Sequence, residues 1–120
     1  MSTFDSYVPL GRNTLDFVKD ASTYLAIVES RLKTLQTSTR GFDLCLYNAG
    51  MDVCEDCSIG GLAGITRAVL AERERLVFGW CRQQEIPVAF VLAGGYSGAR
   101  LNHARLVELH RLTLSAARRN

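Results

Sequence analysis

Phe42-Asp43-Leu44-Cys45-Leu46-Tyr47 runs into Asn48-Ala49-Gly50-Met51-Asp52, and Val88-Ala89-Phe90-Val91-Leu92 runs into Ala93-Gly94-Gly95-Tyr96. Each is an apolar run, then a turn of small residues, then one polar side chain. Runs that are apolar at nearly every position read as parallel strands covered on both faces. Open α/β sheets place their chemistry just past the carboxyl ends of such strands. A carboxylate at Asp52 and a phenol at Tyr96 therefore read as a metal ligand and an electrophilic hydrogen-bond donor. That reading requires the two strands to be neighbours and to run the same way.

The segments around the strands supply helices. Asp20 is placed to cap a helix running to about Leu35, whose apolar residues Leu25, Val28, Leu32 and Leu35 recur at spacings of three and four. Thr37 to Gly41 reads as a polar loop, and the first strand covers about 43–48. Met51 to Ile65 is a loop rich in glycine, cysteine and acid groups. Thr66 caps a second helix to about Gln84, with a stripe of Val69, Leu70, Leu76, Val77, Trp80 and Cys81. Glu72-Arg73-Glu74-Arg75 reads as a mostly solvated band on it. The second strand spans about Pro87 to Leu92, and Gly94-Gly95 ends it. Asn102 or a neighbour caps a third helix to about Ala117, with Leu106, Leu109, Thr113 and Ala117 inward and Leu112 or Leu114 beside them. Near the start, Tyr7-Val8-Pro9-Leu10 reads as a short extended piece and Gly11 to Asn13 as a turn.

The order is helix, strand, loop, helix, strand, helix. The central unit predicts two parallel strands joined by a right-handed crossover, hence an α/β fold with a parallel sheet covered by helices. Two strands leave both outer edges unpaired and apolar, which invites a second copy or a companion chain.

Bulk properties narrow the function classes. The 120 residues make one domain or a piece of one, and 48% of them are hydrophobic, enough for a real core. The net charge of +2 is near balance, and basic residues are scattered apart from Arg111, Arg118 and Arg119, so nucleic-acid binding is not indicated. No apolar run reaches the length of a membrane span and no signal peptide is evident, which makes the cytosol the default compartment. Of the four cysteines, Cys45 and Cys81 read as buried small hydrophobes. Cys54 and Cys57 form a C-x-x-C without the second ligand pair of a structural zinc site. Glu55 and Asp56 between them disfavour a reactive thiolate, so ordinary loop thiols are expected.

Asn48-Ala49-Gly50-Met51-Asp52 and Ala93-Gly94-Gly95-Tyr96 resemble the histone deacetylase family, with its acetoin-utilisation and acetylpolyamine relatives. Ile59-Gly60-Gly61-Leu62-Ala63-Gly64-Ile65, Glu72-Arg73-Glu74-Arg75 and Ile86-Pro87-Val88-Ala89-Phe90-Val91-Leu92 extend the likeness. It runs from about 41 to 115, more loosely from Val8. The resemblance implies a zinc-dependent amide hydrolase on a partial arginase-deacetylase fold, with residues 1–120 as a single domain equivalent to the C-terminal third of the catalytic domain. It implies that Asp52 is a zinc ligand and that Tyr96 hydrogen-bonds the substrate carbonyl as it becomes an oxyanion. Gly94 and Gly95 would line the acyl channel. The family's Asp-x-His ligand pair and His-His base pair are not in this sequence, whose only histidines are His103 and His110.

Each residue also has a plainer reading. Asp52 could be a loop or cap residue, or join Asp56 and Cys57 in a makeshift metal site. Tyr96 could pack at a sheet edge. His103 and His110, seven apart on a helix, suit structural or surface roles better than a metal pair. Neither glycine pair belongs to a nucleotide-binding loop. Two functions follow as expectations. One is the C-terminal segment of a zinc deacetylase acting on acetyl-lysine or an acetylated polyamine, inactive alone. The other is a non-catalytic remnant that assembles through its sheet edges.

Overall fold

Thr66 and Asn102 begin their helices by one device: a side-chain oxygen accepts a hydrogen bond from the backbone N–H three residues on. Thr66 Oγ1 takes the Val69 N–H at 3.3 Å and Asn102 Oδ1 takes the Arg105 N–H at 2.9 Å. Asp20 Oδ1 accepts from the Ser22 N–H, two residues on, at 3.0 Å and opens a 3-10 turn over Ala21–Thr23. The computed structural model describes residues 14–38 and 41–119. The elements are α1 (Tyr24–Ser38), β1 (Cys45–Gly50), α2 (Arg67–Gln83), β2 (Val88–Ala93) and α3 (His103–Arg119). The expected extended piece at 7–10 and the turn at 11–13 lie outside the described residues. Helix α1 reaches Ser38, so the loop expected from Thr37 starts later.

Strands β1 and β2 pair in parallel, from Cys45 opposite Val88 to Gly50 opposite Ala93. Beyond the paired residues, the Met51 N–H bonds the Ala93 carbonyl at 3.0 Å, so the ladder reaches the doorstep of Asp52. β1 begins at Cys45, two residues later than the expected 43, and runs on to Gly50. Phe42 turns away from the sheet toward Trp80, with ring centroids 6.5 Å apart.

The core has two parts. Met51, Cys54, Cys57, Ile65, Leu70, Leu101 and Leu109 form one cluster beneath the carboxyl ends of the strands. The other is aromatic: Phe78 of α2 meets Tyr47 and Phe90 edge-on at 5.7 and 5.4 Å. Edge-to-face rings add roughly 0.5–1.5 kcal/mol beyond their area burial. Both α1 and α3 pack against α2. Leu109 and Thr113 of α3 are buried and Leu112 is half-buried, whereas Leu114 faces solvent.

Three expectations are corrected. The sheet is not covered on both faces by the described residues. Leu46 and Val91 point away from α2 and are 78% and 57% exposed, with Asn48 and Ala89 exposed beside them. The apolar runs describe two greasy faces, but the described helices suffice for one. The stripe of α1 is correspondingly half-buried, and its last member, Leu35, is exposed. The band Glu72-Arg73-Glu74-Arg75 is not solvated as a whole. Arg73 is 6% exposed and Glu74 is 0% exposed. They lie on the same side of α2 as Leu70 and Val77 and compensate each other's charge. Among the described residues no helix is long and apolar enough to cross a membrane.

Candidate functional site

The end of β1 and the end of β2 are tied together by the Asp52 side chain. Its Oδ1 accepts the Gly95 N–H at 2.8 Å, across 43 residues of sequence. Asp52 is half-buried, and its Oδ2 has no hydrogen-bond partner among the described residues. Tyr96 follows Gly95 directly, is 59% exposed and makes no ring or hydrogen-bond contact among the described residues. Asp52 and Tyr96 therefore share one rim of two adjacent, parallel strands.

Gly94 and Gly95 shape that rim for reasons of their own. Both have positive φ, +64° and +75°. A Cβ on Gly94 would lie 2.4 Å from Asp52 Oδ2, and one on Gly95 would lie 2.6 Å from Leu106 Cδ1. The first glycine makes room for the carboxylate, and the second lets the chain close over the core.

Beneath the rim sits a polar cluster built around Arg73 and Glu74, two members of the band expected to be mostly solvated. Arg73 Nη1 donates to the Gly50 carbonyl at 2.7 Å and to the Tyr24 hydroxyl at 3.3 Å. Its Nε donates to Glu74 Oε1 at 2.6 Å. The Tyr47 hydroxyl donates to the same carboxylate oxygen, and the guanidinium lies 5.9 Å from the Tyr47 ring centre. Glu74 Oε2 is buried without a partner among the described residues. Burial, reinforced by the bond to Glu74, holds the Tyr47 phenol well above its usual pKa, although the Arg73 charge opposes this. Burial weighs against the Arg73 charge, but Tyr47, Tyr24 and Glu74 outweigh it and raise the guanidinium's pKa. The spacing did contain a clue. Leu70, Glu74, Val77, Phe78 and Cys81 form one continuous helical stripe, which places Glu74 inside.

The other candidates separate. Asp56 does not join Asp52; it pairs with Arg105 at 2.7 Å and Arg100 at 3.4 Å. Cys54 and Cys57 lie in the loop between β1 and α2, as expected, and are buried there in the core cluster with Leu109 of α3. Cys57 Sγ donates to the Ile59 carbonyl at 3.1 Å. All four cysteines are free. Burial, with Cys45 alongside, pushes the Cys81 thiol up to about 12. His103 is exposed, and His110 is half-buried with its Nδ1 shielded. Among the described residues no three His, Cys, Asp or Glu side chains come together to hold a metal ion.

No family model matches the chain, and no solved structure matches it significantly. An uncharacterized protein of Picosynechococcus sp. is similar to it, 38% identical over 99 residues, which are 82% of this chain and 31% of that protein. The chain thus spans about a third of the length of the curated relative it matches.

Proposed function

We propose that the chain is the C-terminal part of a zinc-dependent deacetylase domain of the arginase-deacetylase fold, acting on an acetylated amine such as acetyl-lysine or an acetylpolyamine. Its four reduced cysteines suit the cytosol. The observation that carries this reading is the Asp52–Gly95 bond, which joins the two strand ends and sets Asp52 against the residue just before the exposed Tyr96.

The residues fit one corner of a zinc site. Asp52 Oδ2 has no hydrogen-bond partner among the described residues, and the absent side chain of Gly94 leaves it room. A catalytic zinc needs three protein ligands, so two come from polypeptide outside these 120 residues, as does the general base. When bound, zinc acidifies a water and polarises the amide oxygen. The chain's own share is to hold the ligand carboxylate by the Gly95 N–H and to present the Tyr96 O–H to the developing oxyanion. One such donor is worth about 3 kcal/mol in the transition state.

The test is a chimera in which this chain replaces the aligned segment of the longer Picosynechococcus protein. The chimera is expected to copurify with one zinc per chain, and Asp52→Ala is expected to lose it. Zinc retained in full by the variant contradicts Asp52 as a ligand.

A second reading, a non-catalytic module that assembles, is favoured by one observation: the open face of the sheet, where Leu46 and Val91 are exposed. It predicts a concentration-dependent dimer by light scattering, abolished by Leu46→Glu. A monomer at every concentration rejects it.

A further inference from the structure

We propose that Arg73 is a positioning residue that fixes the end of β1 bearing Asp52, and so sets that carboxylate against the Gly95 N–H. The functional weight of the carboxylate rests on the deacetylase reading; the positioning itself does not.

Two contacts of the guanidinium fall on the two residues immediately before Asp52. Nη1 bonds the Gly50 carbonyl at 2.7 Å, and Nη2 lies 3.8 Å from the Met51 sulfur. Gly50 is the last paired residue of β1, and Met51 continues the ladder to Ala93. From there the chain must turn so that Asp52 reaches across to Gly95. Arg73 holds the outgoing backbone from α2, the helix between the strands, while Nε on Glu74 and Nη1 on Tyr24 lock the fork itself. A planar guanidinium orients several acceptors at once, which an ammonium on a flexible stem does not.

A merely structural role is the competing account. Buried ion pairs are often replaceable by apolar residues at little loss of stability, so filling the core does not by itself require Arg73 and Glu74. What an apolar pair cannot supply is the bond to one chosen carbonyl. The two accounts differ in where a substitution is felt. A structural defect loosens the whole fold, whereas a positioning defect loosens the rim and spares the far end of the sheet.

The experiment is amide hydrogen exchange, read residue by residue by NMR, on the full 120-residue chain. Arg73→Lys keeps a charge beside Glu74 but loses the fork. Gly95, whose N–H is held by Asp52, is expected to exchange roughly fivefold to tenfold faster, the size of one net hydrogen bond. Cys45, bonded to Pro87 at the opposite end of the sheet, and Leu70, bonded to Thr66 in α2, are expected to stay within about twofold. Should Arg73→Lys fail to fold, Arg73→Met with Glu74→Gln removes both buried charges and keeps an acceptor for Tyr47; the same selective change at Gly95 is expected. Gly95 unchanged, or all three amides shifted by one common factor, overturns the proposal. Neither outcome bears on zinc binding by the chimera, so the two readings fail separately.

Discussion

Leu46 and Tyr47 are adjacent in the chain and opposite in circumstance. Tyr47 lies against Phe78, hydrogen-bonds Glu74 and belongs to the interior of the described fold. Leu46 points the other way, into solvent. The same contrast holds for Phe90 and Val91 on β2. Because successive side chains of a strand leave opposite faces, one run of apolar residues encodes two packing surfaces. The described helices cover one of them. Full burial of a side chain such as Leu46 or Val91 is worth roughly 1.5–3 kcal/mol each. The open face therefore retains apolar surface that is not buried, and the rim at its end carries Asp52 and Tyr96.

The sharpest way to break this contrast is to truncate one residue on each face. Phe78→Ala on the covered side is expected to destabilise by about 3–5 kcal/mol, whereas Leu46→Ala on the open side should stay within about 0.5 kcal/mol. Urea unfolding of both variants measures this. Equal losses would mean that the open face is covered after all.

Next in size is the rim. Gly94→Ala puts a methyl group against Asp52 Oδ2 at a backbone φ of +64°. A loss of about 1–3 kcal/mol is expected, the usual range for a strained backbone position. Asp52→Ala in the same background, by removing the clash, should return part of it. No recovery in the double variant would separate Gly94 from Asp52.

Smaller again is a pH effect from the covered side. Cys81 has its pKa raised from 9.0 to about 12, and the Tyr47 phenol is raised as well. In the unfolded chain both groups ionise at lower pH than in the fold. Their contribution is therefore complete below pH 9 and declines as pH climbs from 9 toward 12. Urea midpoints across that window should fall, and Cys81→Ala should flatten the early part of the fall. The helix cap comes last: Thr66→Ala should lower stability by about 1 kcal/mol without touching the rim, as thermal unfolding would show.

What was legible in the sequence follows from local rules. The caps at Asp20, Thr66 and Asn102, the glycine break after Leu92 and the parallel strands joined through a helix are all short-range signals, and each stands in the structure. So does the meeting of Asp52 with the segment before Tyr96, because parallel pairing in register delivers both to one end. Arg73 and Glu74 depart from the expected solvated band because helical position, not charge, decides their burial. Their places on the Leu70–Val77 stripe put them inside, where they pair with each other and Glu74 Oε1 also accepts from the Tyr47 hydroxyl. The one-sided cover of the sheet was not legible, since periodicity states which faces are apolar and not what lies on them. Cys54 and Cys57 were buried by the same long-range event, the return of the 51–65 loop over α3.

In the proposed deacetylase reading, the Tyr96 phenol serves the oxyanion of an amide held beside Asp52. The most direct test is acetate release from an acetyl-lysine peptide by the chimera, with and without Tyr96→Phe. Zinc-dependent release is expected, dropping by about 10²–10³-fold in kcat when the hydroxyl is removed. Release at an unchanged rate in Tyr96→Phe would contradict it.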